Sequence, residues 1–192
     1  MIDYLGLLLI NMVAGLVLLA LYVYAGLDDP EQKRWAPGFI VSGLIAFLFG
    51  AHMVMVWPIP AVYAIAYGET SVLLGILLLG AGVTMALGGQ LWTLAIYAFF
   101  AGLVSVELGF RFILLHLSNM PMLTGLGFLA TGGAGVLAAP GLFWFRKNRL
   151  LRTLMALLLL GAAALWALTG YGAYWMHLQI FQHVGIHGVP MK

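Results

Sequence analysis

QLWTLAIYAFFAGLVSVELGFRFILLHL, residues 90–117, carries no charged or imidazole side chain except Glu107, Arg111 and His116. A helix rises about 1.5 Å per residue, so about 20 such residues cross the ~30 Å hydrocarbon core of a bilayer. Working outward from this run, five more of the same kind cover 4–26, 37–57, 60–87, 121–145 and 151–177. None alternates apolar and polar residues at every second position, as a transmembrane barrel strand would. In a chain of 192 residues that is 64% hydrophobic and 7% charged, this predicts an all-α polytopic membrane protein, a bundle of six transmembrane helices. The connections are short and poor in charge, so residues 1–192 are expected to form a single integral membrane domain.

Composition narrows the chemistry. There is no cysteine, which removes disulfide exchange, thiolate nucleophiles and iron–sulfur ligation. No P-loop, G-x-S-x-G, dinucleotide fingerprint or HExxH is present, so nucleotide and hydrolase chemistry have no support. MIDYLGLLLINMV has no Lys or Arg ahead of its apolar stretch, so it is expected to stay as a mature helix rather than a cleaved leader. The net charge of +2 reflects loop bias and argues for no nucleic-acid partner.

The loops give an orientation. LDDPEQKRWAP (27–37) holds three of the six acids and reads as a wet loop. WPIP (57–60), LGGQ (87–90) and SNMP (118–121) are the next stops, marked by proline or glycine, and RKNRLLR (146–152) separates the last two spans. Lys33, Arg34, Arg146, Lys147, Arg149 and Arg152 all fall on one side, against Lys192 on the other. By the positive-inside rule both termini are expected to be non-cytoplasmic in a multi-pass plasma-membrane protein. Trp57, Tyr171, Tyr174 and Trp175 suit an outer aromatic belt. TGLGFLATGGAGVLAAPG places Thr131, Gly135 and Ala139 at spacings of four, a face on which helix backbones pack closely.

Four residues resist this simple reading: His52, Glu69, Glu107 and Arg111 lie inside the spans, with His116 and His177 near helix ends. His52 is roughly 8 Å below Trp57, Arg111 roughly 9 Å below Leu117, and Glu69 and Glu107 about 14–15 Å down. Each charge at bilayer depth costs at least ~2.5–3.5 kcal/mol. Glu107 and Arg111 are i,i+4 and can pair. The common depth predicts a polar pocket in the outer leaflet, built from the second, third and fourth spans. A buried network that only fixes helix packing is the plainer reading of the same residues.

Two cofactor chemistries suit such a pocket. A b-type haem would take His52 with His116 or His177 as axial ligands and Arg111 against a propionate. A transition metal, iron or zinc, would sit on His52, Glu69 and Glu107. Copper enters through HMVM (52–55), NMPM (119–122) and WMH (175–177), which cluster thioethers and imidazoles; methionine is also ordinary core filler. His183 and His187 in the tail are spaced i,i+4.

WPIPAVYAIAYGE (57–69), with ELGFRF further on, resembles a family of small prokaryotic membrane proteins known as domain of unknown function 981. Its signature matches Trp57, Pro58, Pro60, Tyr63, Gly68 and Glu69. The resemblance implies that the Gly-Glu pair belongs to the family pattern and supplies no activity. The expectation is therefore a haem- or metal-binding redox protein exchanging electrons with a quinol or an external partner. The alternative is a small transporter, or an accessory subunit of a larger respiratory membrane complex. Whether the chain is an enzyme is left open.

Overall fold

The computed structural model describes residues 3–145 and 147–181; Arg146, His183, His187 and Lys192 lie outside them. Six helices long and apolar enough to cross a membrane follow one another: α1 (Tyr4–Gly26), α2 (Gln32–Val56), α3 (Ala61–Ala86), α4 (Trp92–Leu114), α5 (Pro121–Phe145) and α6 (Arg149–Phe181). Their ends follow local chemistry. Asp3 caps α1 by accepting the Gly6 N–H at 3.0 Å, and Asn148 accepts the Leu150 and Leu151 N–H groups at the start of α6. Trp57 closes α2 with φ 50°, a left-handed turn that WPIP then locks. Gly88, at φ 72°, makes the turn after α3.

Each helix packs on its neighbours in sequence, and α6 returns to α1. The result is a closed ring. The α2–α3 and α4–α5 seams are the tightest, and the α3–α4 seam is among the loosest. A Cβ on Gly43 would stand 2.2 Å from the Leu79 nitrogen, and one on Gly75 would stand 2.4 Å from the Phe47 nitrogen. Backbone meets backbone there, as glycine permits. The α4–α5 seam repeats the device with Gly102, whose Cβ would lie 2.6 Å from the Gly132 carbonyl oxygen. Gly135, from the small-residue face, joins that seam.

Two helices contain wide π turns, Tyr22–Gly26 at the end of α1 and Ala64–Glu69 near the start of α3. Each adds a residue to the turn and so rotates everything beyond it.

The 27–35 segment departs from the expected wet loop. Gln32–Trp35 forms a short 3₁₀ turn, and the Asp29 side chain is only 4% exposed. Asp29 accepts the Trp35 indole N–H at 2.8 Å and pairs with Arg34 at 2.5 Å. Gln32 donates to the Gly26 and Asp29 carbonyls and accepts from Tyr22. Asp29 and Gln32 are thus internal partners that order the segment, while Asp28, Glu31, Lys33 and Arg34 stay exposed to water.

Candidate functional site

Every helix of the ring contributes to one central cavity of about 200 Å³. A water needs only about 10–15 Å³ on this measure, so there is room for several small molecules. The wall is almost wholly apolar, from Leu16 of α1 through Leu74 of α3 and Ala98 of α4 to Leu159 of α6. Its polar side chains are Tyr22, Thr70, Ser105, Thr131 and Trp166. Among the described residues no carboxylate, amine or imidazole lines it.

Each of these polar groups spends its hydrogen on the protein. Ser105 donates to the Phe128 carbonyl at 2.9 Å, Thr70 to the Ala66 carbonyl at 2.5 Å, and Thr131 to the Gly127 carbonyl at 2.9 Å. The Trp166 indole N–H in turn donates to the Thr131 oxygen at 2.9 Å, and the Tyr22 hydroxyl to Gln32 at 2.8 Å. Hydroxyl oxygens keep lone pairs after donating. The lumen therefore presents acceptors without matching free donors. It suits a neutral solute that brings its own N–H or O–H groups, and it disfavours an ion, whose desolvation nothing here repays.

Aromatic side chains close both ends. On the side of the two termini, Tyr67, Phe112, Phe128 and Trp166 form a box with ring centroids 4.9–6.1 Å apart. Phe112 and Trp166 are fully buried. The π turn of α3 places Tyr67 in this box, where Thr124 meets it. On the side of the basic loops, Tyr22 stands edge-on to Trp35 and Phe39 at 5.6 and 5.5 Å. Asp29 anchors that end. The Glu31 backbone N–H holds its carboxyl below the usual range, partial burial opposes this, and Trp35 and Arg34 lower it further.

The residues expected to form an outer-leaflet pocket lie elsewhere. His52, Glu69, Glu107 and Arg111 are all exposed on the outward faces of α2, α3 and α4. His52 stacks on Tyr4 of α1 at 5.2 Å. Glu107 and Arg111 do pair, at 3.8 Å, but with 70% and 61% of their side chains exposed. His116 sits in the turn after α4, at φ 50°, and is exposed. His177 meets Asp3 at 2.6 Å, tying the end of α6 to the start of α1. Equal depth did not mean convergence, because depth says nothing of which way a helix is turned.

Among the described residues no three His, Asp or Glu side chains come together to hold a metal. That overturns the expectation of a metal- or haem-binding redox protein, and the comparison below points the same way. The residues that build the lumen were invisible in the sequence. Tyr67, Phe112, Phe128 and Trp166 carry no spacing or motif that separates them from the other aromatics of the spans. The usable signal lies in the small-residue face, whose Thr131 and Gly135 both line the cavity.

A cryo-electron microscopy structure of the Helicobacter pylori urea channel in its closed state shares this fold. It superposes with a TM-score of 0.67 at 19% identity, covering 94% of this chain and 100% of that one. No curated protein matches the chain. The family model described as protein of unknown function (DUF981) matches residues 1–180, and the chain belongs to that family.

Proposed function

We propose that the protein is a transmembrane conduit for small uncharged solutes rich in hydrogen-bond donors, of the amide type. The observation that carries this reading is the central lumen, lined by all six helices, apolar with a few hydroxyl oxygens able to accept, and free of charged side chains among the described residues. The fold shared with a urea channel supports it, and it takes up the expected alternative of a small transporter. An electron-transfer role would need a redox group held between helices, and a coupled transporter would need a titratable group on the path. Among the described residues the lumen offers no carboxylate, amine or imidazole for either task. Lys33, Arg34, Lys147, Arg149 and Arg152 share one side, which supports a plasma-membrane orientation with that side cytoplasmic and both termini outside.

The test is flux. Purified protein in vesicles should speed stopped-flow swelling in urea or acetamide well above protein-free vesicles, with little effect on sodium or chloride leak. Ala134→Phe, placed on the lumen wall, should return the solute rate to the protein-free level while the protein still melts cooperatively. Swelling equal to empty vesicles for every neutral solute tried, or an Ala134→Phe rate equal to wild type, would defeat the reading.

A further inference from the structure

Glu69, Glu107 and Arg111 point away from the bundle at a depth where lipid would otherwise surround them. Glu69 belongs to the outward stripe of α3, with Val62, Ile65 and Ile76, and Glu107 and Arg111 to that of α4, with Leu103 and Phe110. By helical rise, Glu69 is about 12 Å from the start of α3 and Glu107 about 10 Å from the end of α4. Arg111 can snorkel to the headgroups from its place near the helix end. The two carboxylates are deeper and shorter. Ionisable groups inside a membrane face protein or water in nearly all cases, and here the lumen is on the opposite side of both helices.

The charges are also unbalanced. Arg111 has one carboxylate beside it at 3.8 Å, while Glu69, on the neighbouring helix, makes no ion pair or side-chain hydrogen bond among the described residues. The outward stripes of α5 and α6 carry Leu126, Leu137, Leu157 and Leu168 instead, which lipid accommodates without cost. Acid and base thus occur together on one sector, so this sector is complementary to itself. The α3–α4 seam beneath it is among the loosest of the ring.

We infer that a second copy of this chain covers the α3–α4 sector in the membrane, with Arg111 of each copy reaching Glu69 of the other. The contact shields three polar groups from lipid and leaves the lumen inside each copy. It is independent of what the lumen carries, so assembly and solute flux, read on the same vesicles, can fail separately.

The protein has no cysteine, which makes labelling clean. Subunit counting by photobleaching in dilute vesicles should show more than one copy per particle for wild type. Arg111→Glu, which sets three acids on the sector, should weaken assembly at least tenfold while helicity and melting persist. A nitroxide on Leu103→Cys in the otherwise wild-type protein should be shielded from dissolved oxygen in purified vesicles; this holds whether or not Arg111→Glu folds. Single copies throughout would overturn the inference, as would a folded Arg111→Glu protein that assembles like wild type. So would a Leu103 label fully open to lipid, or one shielded in native membranes alone, which would assign the sector to a different protein.

Discussion

The two ends of the lumen are closed by different physics. On the side of the termini, four rings from α3, α4, α5 and α6 close the lumen chiefly by packing, with the Trp166 indole bonded to Thr131 and Tyr67 meeting Thr124. On the basic side, Tyr22 and Phe39 close it, but they are set by a polar scaffold of Gln32, Asp29, Trp35 and Arg34. The first closure rests on apolar burial and is indifferent to pH and salt. The second rests on a carboxylate and responds to both. The contrast follows from where each lies, since bilayer depth favours dispersion and the aqueous edge makes hydrogen-bonded charge inexpensive.

The contrast breaks most sharply at Trp166. Trp166→Ala removes a fully buried indole that touches two rings of the box and holds Thr131. A loss of about 3–5 kcal/mol is expected, read as a lower melting temperature in detergent, together with faster solute flux in the molecules that remain folded. A loss below about 1 kcal/mol would mean that the box is loosely packed. Trp166→Phe should recover most of the stability while leaving the Thr131 oxygen without its donor.

The basic-side closure should show itself through pH. The Asp29 carboxyl titrates below its ordinary 3.8 in the folded protein, so the folded state binds fewer protons than the unfolded one as acid is added. Its contribution is complete above about pH 3.8 and is lost as pH falls through the lower folded value. Wild type should therefore lose stability on acidification below that point, and Asp29→Asn should flatten this limb while lowering stability at neutral pH. Parallel acid limbs in the two proteins would remove Asp29 from the scaffold. Trp166→Ala should leave the limb unchanged.

A smaller effect separates the scaffold from its outer tether. Arg152 of α6 pairs with Asp28 and also donates to the Phe145 carbonyl at 2.6 Å. Asp28 is 59% exposed in its side chain, so Asp28→Asn should cost under about 1 kcal/mol. High salt should erase most of the difference from wild type in a melt. A larger, salt-insensitive loss would make the tether part of the closure itself.

The identity and order of the helices were legible from residues 90–117 and the five runs like them, because a bilayer demands length and apolarity and little else. All six predicted spans correspond to helices, with ends within a few residues except at the starts of α2 and the end of α6. The common depth of His52, Glu69 and Glu107 was legible for the same reason: rise per residue is fixed. Their direction was not. A membrane helix that is apolar nearly all round carries little pattern to say which face meets protein, and the π turn at Ala64–Glu69 shifts the phase between Tyr67, turned into the aromatic box, and Glu69, turned out of the ring. The sequence by itself determined a six-span helical protein with a layer of polar groups near one surface. Only the tertiary structure decided that the layer faces outward and that an apolar cavity edged by aromatic and hydroxyl side chains lies inside the ring, because each helix's rotation is set by the close glycine contacts of its neighbours rather than by its own residues.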